Sequence, residues 1–198
     1  MKLSFGILVI TAGIFSILSF GLLATAIGTD YWYIIKVNRT NLTNTENVDS
    51  HSGLWIIYEG VVCLVFPLDM HSAIVVLLPL SLVLLWVGGI CGLVSSLVRS
   101  PTLLTGTATF ILLSSVLTLS GVSLYINYSQ QALAETERLV GAERLAQVST
   151  SFGWSLGLAW LSFCLEVLSG LLLLLAAHPI ILYAILCLHK SLHLTWAV

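Results

Sequence analysis

Residues 73–98 read AIVVLLPLSLVLLWVGGICGLVSSLV, a stretch without a single charged side chain. An α-helix rises about 1.5 Å per residue, so about 20 apolar residues cross the ~30 Å hydrocarbon core of a bilayer. Backbone N–H and C=O groups find no water in lipid, and a helix pairs all of them within one segment. This stretch therefore predicts a membrane-spanning helix.

Three further apolar runs predict three more spans. They lie at Leu3–Ile27, Leu103–Ile126 and Phe152–Ala177. Four spans place both termini on one side, with polar loops over residues 28–72 and 127–151 on the other. We expect an all-α four-helix membrane bundle over residues 1–177 and an apolar tail over residues 178–198.

The first run has a second interpretation. Its end, Ala24-Thr25-Ala26, resembles a signal-peptidase cleavage site, but the apolar part of a signal peptide is usually about 7–15 residues long. The greater length of this run favours an uncleaved first helix.

Composition indicates that lipid surrounds most of the chain. Hydrophobic residues make up 58% of the sequence and charged residues 8%, whereas a soluble domain carries about 25% charged residues. Because so few polar groups cannot cover a water-soluble surface, the bilayer is the first predicted partner. The net charge of −2 argues against nucleic acid as a partner, since binding phosphates needs clustered Lys and Arg.

Two glycosylation signals indicate the orientation. Lys and Arg are divided almost evenly between the two sides, so their distribution decides little. Asn38-Arg39-Thr40 and Asn41-Leu42-Thr43 both fit the N-glycosylation pattern, which is modified only on the lumenal side. Asn38 and Asn41 therefore favour a plasma-membrane protein with cytoplasmic termini.

The first loop is predicted to contain a small antiparallel sheet. Tyr31–Val37 and Leu54–Tyr58 are rich in aromatic and β-branched residues, as strands prefer, and Val61–Phe66 is a possible third strand. Asn38–Ser52 has the composition of a turn. The second loop differs, because Gln130–Thr150 is rich in helix formers and predicts an extension of the third helix.

The tail contains a short second apolar segment, Ile180–Leu188. Nine residues are too few to span a bilayer, and Pro179 is expected to kink or break its connection to the fourth helix. We expect an interfacial or re-entrant segment, with a partial fifth span as the alternative.

Glu166 is the one ionisable residue well inside a span. A charge at that depth costs at least about 2.5–3.5 kcal/mol, so its side chain should face the bundle. A structural hydrogen bond to a neighbouring helix is favoured over ion or proton transport, which needs relay groups. The candidate hydrogen-bond partners are Thr11, Ser16, Ser114, Ser115 and Thr118.

Small residues recur at helical spacing within the spans. Four-apart glycines let helix backbones approach closely. The candidate packing positions are Gly88, Gly92, Gly153 and Gly157. They are expected to pack within the chain, with contact to another subunit as the alternative.

Neither a catalytic centre, a metal site nor a cofactor site is indicated. No His is paired with Cys, Asp or Glu at metal-ligand spacing. Cys63 is the one cysteine predicted to be extracellular, so no extracellular disulfide forms within the chain. Its alternatives are a buried small side chain or an intermolecular bridge.

Three motifs carry a resemblance to a known family. They are Asp30-Tyr31-Trp32, His51-Ser52-Gly53-Leu54-Trp55 and Phe152-Gly153-Trp154-Ser155. With four spans and a β-rich first loop, they resemble the claudin superfamily, which includes peripheral myelin protein 22 and the calcium-channel gamma subunits. The first two motifs are most similar to the gamma subunits and, closer still, to transmembrane proteins 114 and 235. The family-motif residues in this sequence are Trp32, Gly53, Leu54, Trp55 and Cys63.

One hallmark of that family is absent. Its members typically carry two cysteines after Gly-Leu-Trp, which form a disulfide across the sheet. Here Tyr58 stands at the first position and only Cys63 can match the second. Because losing such a disulfide typically costs about 2–5 kcal/mol, we expect a softer sheet.

The resemblance implies a non-enzymatic protein that acts through contacts with other membrane proteins. The first hypothesis is lateral or cell–cell contact through the first loop, including contact with a second copy. The second is an auxiliary subunit of an ion channel or receptor, as the likeness to gamma subunits implies. A small transporter is a third hypothesis, and it rests on Glu166 alone.

Overall fold

The computed structural model describes residues 2–37, 49–55, 68–98, 100–140 and 148–195. Within these residues the chain forms four long helices and three short strands. The helices are α1 (Lys2–Gly28), α2 (Leu68–Val98), α3 (Pro101–Val140) and α4 (Trp154–Thr195). The strands are β1 (Tyr33–Val37), β2 (Asp49–Ser52) and β3 (Val148–Phe152). The predicted four-helix bundle with a small antiparallel sheet is confirmed.

Each of the four described helices contains a stretch long and apolar enough to cross a membrane. These stretches are Phe5–Gly28, Ser72–Val98, Thr102–Gln131 and Trp154–His178. Their outward faces carry large apolar side chains, of which Leu97 is 85% exposed and Trp86 is 57% exposed. Such a surface is stable against lipid rather than water. The chain is a multi-pass membrane protein with four spans.

The bundle interior has three layers along its axis. One apolar cluster lies near the sheet and includes Leu23, Leu78, Val122 and Leu156. A second lies at the opposite end and includes Ala12, Leu85, Leu104, Ala108 and Leu173. Each helix also has buried polar residues that fall between these two clusters in sequence. This polar layer consists of Ser16, Ser19, Ser81, Ser114, Ser115, Thr118, Ser162, Glu166 and Ser169.

The sheet joins the two loops that lie at one end of the bundle. β1 is central and pairs antiparallel with both neighbours, so the strand order is β2-β1-β3. Tyr33 lies opposite Ser52 on one side and opposite Phe152 on the other. The second loop therefore supplies a strand that the sequence did not predict, because Val148–Thr150 was assigned to a helical extension and Phe152 to the fourth span.

The second strand also differs from its prediction. The sequence placed it at Leu54–Tyr58, whereas the structure pairs Asp49–Ser52 with β1 and gives Leu54 and Trp55 no strand conformation. Tertiary contacts override the strand propensity of these two residues, because both are anchored to the end of α1. Residues 56–58 and the possible strand at Val61–Phe66 lie outside the described residues.

Two helices extend well beyond the bilayer core. α3 has 40 residues and α4 has 42, which at about 1.5 Å per residue is roughly 60 Å each. α4 continues as one element through Pro179 to Thr195, so the predicted break at this proline is wrong. Proline lacks one backbone donor, but the remaining i to i−4 bonds on both sides hold the helix together.

Candidate functional site

The Trp32 side chain fixes the start of the sheet to the helix bundle. It is fully buried, and its indole N–H donates a hydrogen bond to the Ala26 carbonyl at 2.7 Å. Its ring packs against that of Tyr125 on α3, with 4.8 Å between the ring centroids. Because Trp32 directly precedes β1, these contacts tie the central strand to α1 and α3.

The Gly53-Leu54-Trp55 segment anchors the other end of the first loop. Gly53 lies so close to Asp30 that a Cβ there would stand 2.7 Å from the Asp30 Cα. Leu54 is fully buried in the apolar cluster near the sheet. The Trp55 indole N–H donates to the Ile27 carbonyl at 2.9 Å. Carbonyls at the C-terminus of α1 would otherwise lack partners, so this tryptophan caps the helix.

The start of α4 is bound to the chain that follows α1. The Gly153 amide donates to the Trp32 carbonyl at 2.9 Å, and the Ser155 amide donates to the Tyr31 carbonyl at 3.3 Å. The Ser155 hydroxyl also lies 2.9 Å from the Thr29 hydroxyl. These bonds satisfy amides at the N-terminus of α4 that have no helical partner. The end of the second loop is thereby bonded to the start of the first loop.

Gly153 has a different role from the predicted one. The sequence assigned it to helix packing, but it precedes α4, and a Cβ there would overlap the backbone carbonyl of Tyr31. Only glycine permits this backbone approach. Two further glycines, which the sequence motifs did not single out, are also closely packed. Gly121 lies against Leu78, and Gly170 lies against Leu112.

The other predicted glycines divide between packed and open positions. A Cβ at Gly88 would stand 3.2 Å from Ile111, and one at Gly92 would stand 3.2 Å from Thr107, so both face α3. Gly157 is exposed and has no atom within 4 Å of such a Cβ. The expectation that Gly157 packs against another helix of this chain is therefore wrong, because its side of α4 faces outward.

Four aromatic side chains surround the anchored base of the sheet and remain 41–54% exposed. We call them the aromatic rim, and they are Tyr31, Trp55, Phe152 and Trp154. Tyr31 stacks on Trp154 with 5.7 Å between ring centroids, and Phe152 meets Tyr33 edge-on at 5.9 Å. Their positions are fixed by the bonds of Trp55, Gly153 and Ser155, so the rim is an ordered surface.

Glu166 lies at the centre of the polar layer and is fully buried. Its Oε2 lies 3.2 Å from the hydroxyls of Ser114 and Thr118 on α3. Its Oε1 lies 3.2 Å from the Ser162 hydroxyl and 3.3 Å from the Ser19 hydroxyl on α1. The Ser114 hydroxyl also reaches the Ser81 carbonyl of α2 at 3.0 Å. All four helices thus meet at this cluster.

The partners of Glu166 were predicted in part. Ser114 and Thr118 contact its carboxyl group, whereas Ser19 and Ser162 were not among the candidates. Three candidates instead bond elsewhere. Thr11 donates to the Ile7 carbonyl, Ser16 pairs with Ser169, and Ser115 donates to the Leu112 carbonyl.

Several predicted positions lie outside the described residues, namely Asn38, Asn41 and Cys63. Cys91 and Cys164 carry free, exposed thiols on the spans. Within the described parts of the chain, no group of three or more His, Cys, Asp or Glu side chains is placed to hold a metal ion.

Comparison with known families identifies the family of the bundle. The model of the family described as PMP-22/EMP/MP20/Claudin tight junction matches residues 61–175. This range is more than half of the chain and contains all of α2 and α3 and most of α4. The motifs at Trp32 and Gly53–Trp55 lie before it.

Proposed function

Because the chain belongs to the PMP-22/EMP/MP20/Claudin family, whose members are typically non-enzymatic structural membrane proteins, we propose that it acts through protein contacts at the sheet end of its bundle. The contacts are made in the plane of the membrane or between cells. The partner is a second copy of this chain or another membrane protein.

The aromatic rim is the observation that supports this proposal. Aromatic residues are enriched at protein interfaces because they bury a large area with few rotatable bonds. The Trp55 ring is 54% exposed although its indole N–H is already bonded, so its apolar face is free to meet a partner. Rigid anchoring of the rim lowers the entropy lost on association.

We further propose that the sheet end faces the cell exterior and that the protein resides in the plasma membrane. The sequons at Asn38 and Asn41 follow β1 directly in sequence and support this orientation, because N-glycosylation occurs on the lumenal side, which becomes the cell exterior. Both termini are then cytoplasmic, since four spans return the chain to its starting side. Labelling from outside sealed cells tests this orientation.

Photo-crosslinking tests the contact function. A photoreactive phenylalanine analogue replaces Phe152, which is exposed on the rim, in living cells that express the full chain. We expect protein adducts on illumination, because the side chain points toward a partner rather than into the bundle. Mass spectrometry of the adducts then identifies the partner.

Phe110 provides the matched control. It is similarly exposed but lies within the α3 span, where its surroundings are lipid. The same analogue at Phe110 should give few protein adducts. If Phe152 gives no more protein adducts than Phe110, the rim is not a contact surface and the proposed function is wrong.

An auxiliary subunit of a channel or receptor is the second candidate function. The likeness of Thr29–Trp32 and His51–Trp55 to the corresponding motifs of calcium-channel gamma subunits and of transmembrane proteins 114 and 235 favours it. In that case the adducts at Phe152 contain a channel or receptor polypeptide rather than this chain. Co-expression must also change the current through that channel, and an unchanged current would count against this role.

A further inference from the structure

The hydroxyl groups around Glu166 have acceptors of their own. Each of the four hydroxyls has one proton to donate, and each lies closer to a backbone carbonyl than to the carboxyl group. Ser114 is 3.0 Å from the Ser81 carbonyl, Thr118 is 3.1 Å from the Ser114 carbonyl, and Ser162 is 3.0 Å from the Ser19 carbonyl. The corresponding distances to the nearest carboxyl oxygen are all 3.2 Å.

The contact between Ser19 and Ser162 uses the proton of one of these two hydroxyls. Their hydroxyl oxygens are 2.8 Å apart, a distance that requires a hydrogen between them. At most one of this pair can therefore donate to Oε1 of Glu166. On the other side of the carboxyl group, Oε2 lies 3.2 Å from two hydroxyls that lie closer still, at 3.0 and 3.1 Å, to the Ser81 and Ser114 carbonyls. These two hydroxyls are able to accept a hydrogen bond.

No cation balances a charge at this position. Apart from Glu166, the four span sequences contain no Asp, Glu, Lys or Arg, and their one histidine, His178, ends the last span. The Glu166 side chain has no exposed surface, so bulk solvent does not contact it. An ionised carboxylate there would lack a counter-ion in a medium that penalises isolated charge.

We propose that Glu166 is a neutral carboxylic acid and that its Oε2–H donates a hydrogen bond to Ser114 or Thr118 of α3. Oε1 lies 3.3 Å from the Ser19 hydroxyl, and this contact connects α4 to α1. The Ser114 hydroxyl donates a hydrogen bond to the Ser81 carbonyl, which connects the cluster to α2. Glu166 is thus a positioning residue that holds the four helices in register without placing a charge in the bilayer.

Infrared spectroscopy of the full chain in lipid tests this proposal. A protonated carboxylic acid has a C=O stretching band that a carboxylate lacks. Every other glutamate lies outside the four span sequences, where ionisation at neutral pH is the ordinary state of a carboxyl group. Protein labelled with ¹³C at the glutamate carboxyl carbon should therefore show one protonated-acid band, shifted from its position in unlabelled protein.

Variants test whether this band belongs to Glu166 and whether its acid proton bonds the predicted partners. It should be missing from Glu166→Gln, and it should move in Ser114→Ala or in Thr118→Val, because one of these removes the acceptor of the acid proton. Ser115→Ala is the matched control and should leave the band in place, since the Ser115 hydroxyl bonds the Leu112 carbonyl instead.

Two results would overturn the assignment. The first is a labelled wild-type protein whose glutamates absorb only as carboxylates at neutral pH. The second is a protonated-acid band that stays in place in both Ser114→Ala and Thr118→Val. The first measurement needs no variant, so poor folding of Glu166→Gln does not prevent the test.

Discussion

Gly153→Ala is expected to destabilise the protein by about 3 kcal/mol, near the upper range for overpacking substitutions. The added methyl group would overlap the Tyr31 carbonyl, and the backbone must move to relieve the overlap. That movement would break the bonds from the Gly153 and Ser155 amides to the chain after α1. The apparent melting temperature in mild detergent, followed by size-exclusion chromatography, should fall by roughly 5–10 °C.

Gly157→Ala is the matched control for this substitution. Both glycines belong to the same region of the chain, but a Cβ at Gly157 meets open space. Alanine also favours the helix by about 1 kcal/mol relative to glycine. This variant should melt at or above the wild-type temperature. Equal losses in the two variants would mean that the close approach of Gly153 to Tyr31 does not exist.

Trp32→Ala is expected to cost about 3–5 kcal/mol, the range for truncating a buried aromatic side chain. The substitution leaves a cavity between α1 and α3, removes the contact with the Tyr125 ring and leaves the Ala26 carbonyl without its indole donor. Because β1 begins at the next residue, the sheet should lose one of its attachments to the bundle. Limited proteolysis of the extracted protein should cut this end faster than in wild type.

Trp86→Ala separates the loss of packing from the loss of a tryptophan. The Trp86 side chain lies on the α2 span and is 57% exposed, so its truncation removes contacts with lipid and leaves the bundle interior unchanged. Its melting temperature and cleavage rate should remain close to those of wild type. A Trp32→Ala variant that matched Trp86→Ala in both measurements would contradict the anchoring role of Trp32.

The helices could be predicted because their cause lies within each segment. An apolar run such as Ala73–Val98 must pair its own backbone groups in lipid, so length and composition suffice. Glu166 could be predicted to face inward for the same reason, since a charge against lipid is costly. Its four hydroxyl neighbours come from three helices, and two of them could not be identified before the helix faces were known.

The strands were harder to predict because their partners are distant in sequence. Val148–Phe152 pairs with Tyr33–Val37 although two helices, α2 and α3, lie between them in sequence. Its Val, Thr and Phe are residues that strands prefer. Asp49–Ser52 has no such signal. It pairs with β1 because Gly53, Leu54 and Trp55 fix the chain that follows it. Local propensity is a weak guide where tertiary anchors set the register.

Cysteine labelling of sealed cells tests most directly whether the four spans cross the bilayer with the sheet end outside. In a chain whose native cysteines are replaced by alanine, Ser151→Cys on β3 and Thr102→Cys at the start of α3 are both exposed positions at opposite ends of the bundle. A membrane-impermeant maleimide should label Ser151→Cys on intact cells and Thr102→Cys only after permeabilisation. Labelling of Thr102→Cys on intact cells, with Ser151→Cys protected, would contradict the proposed orientation and the surface role that depends on it.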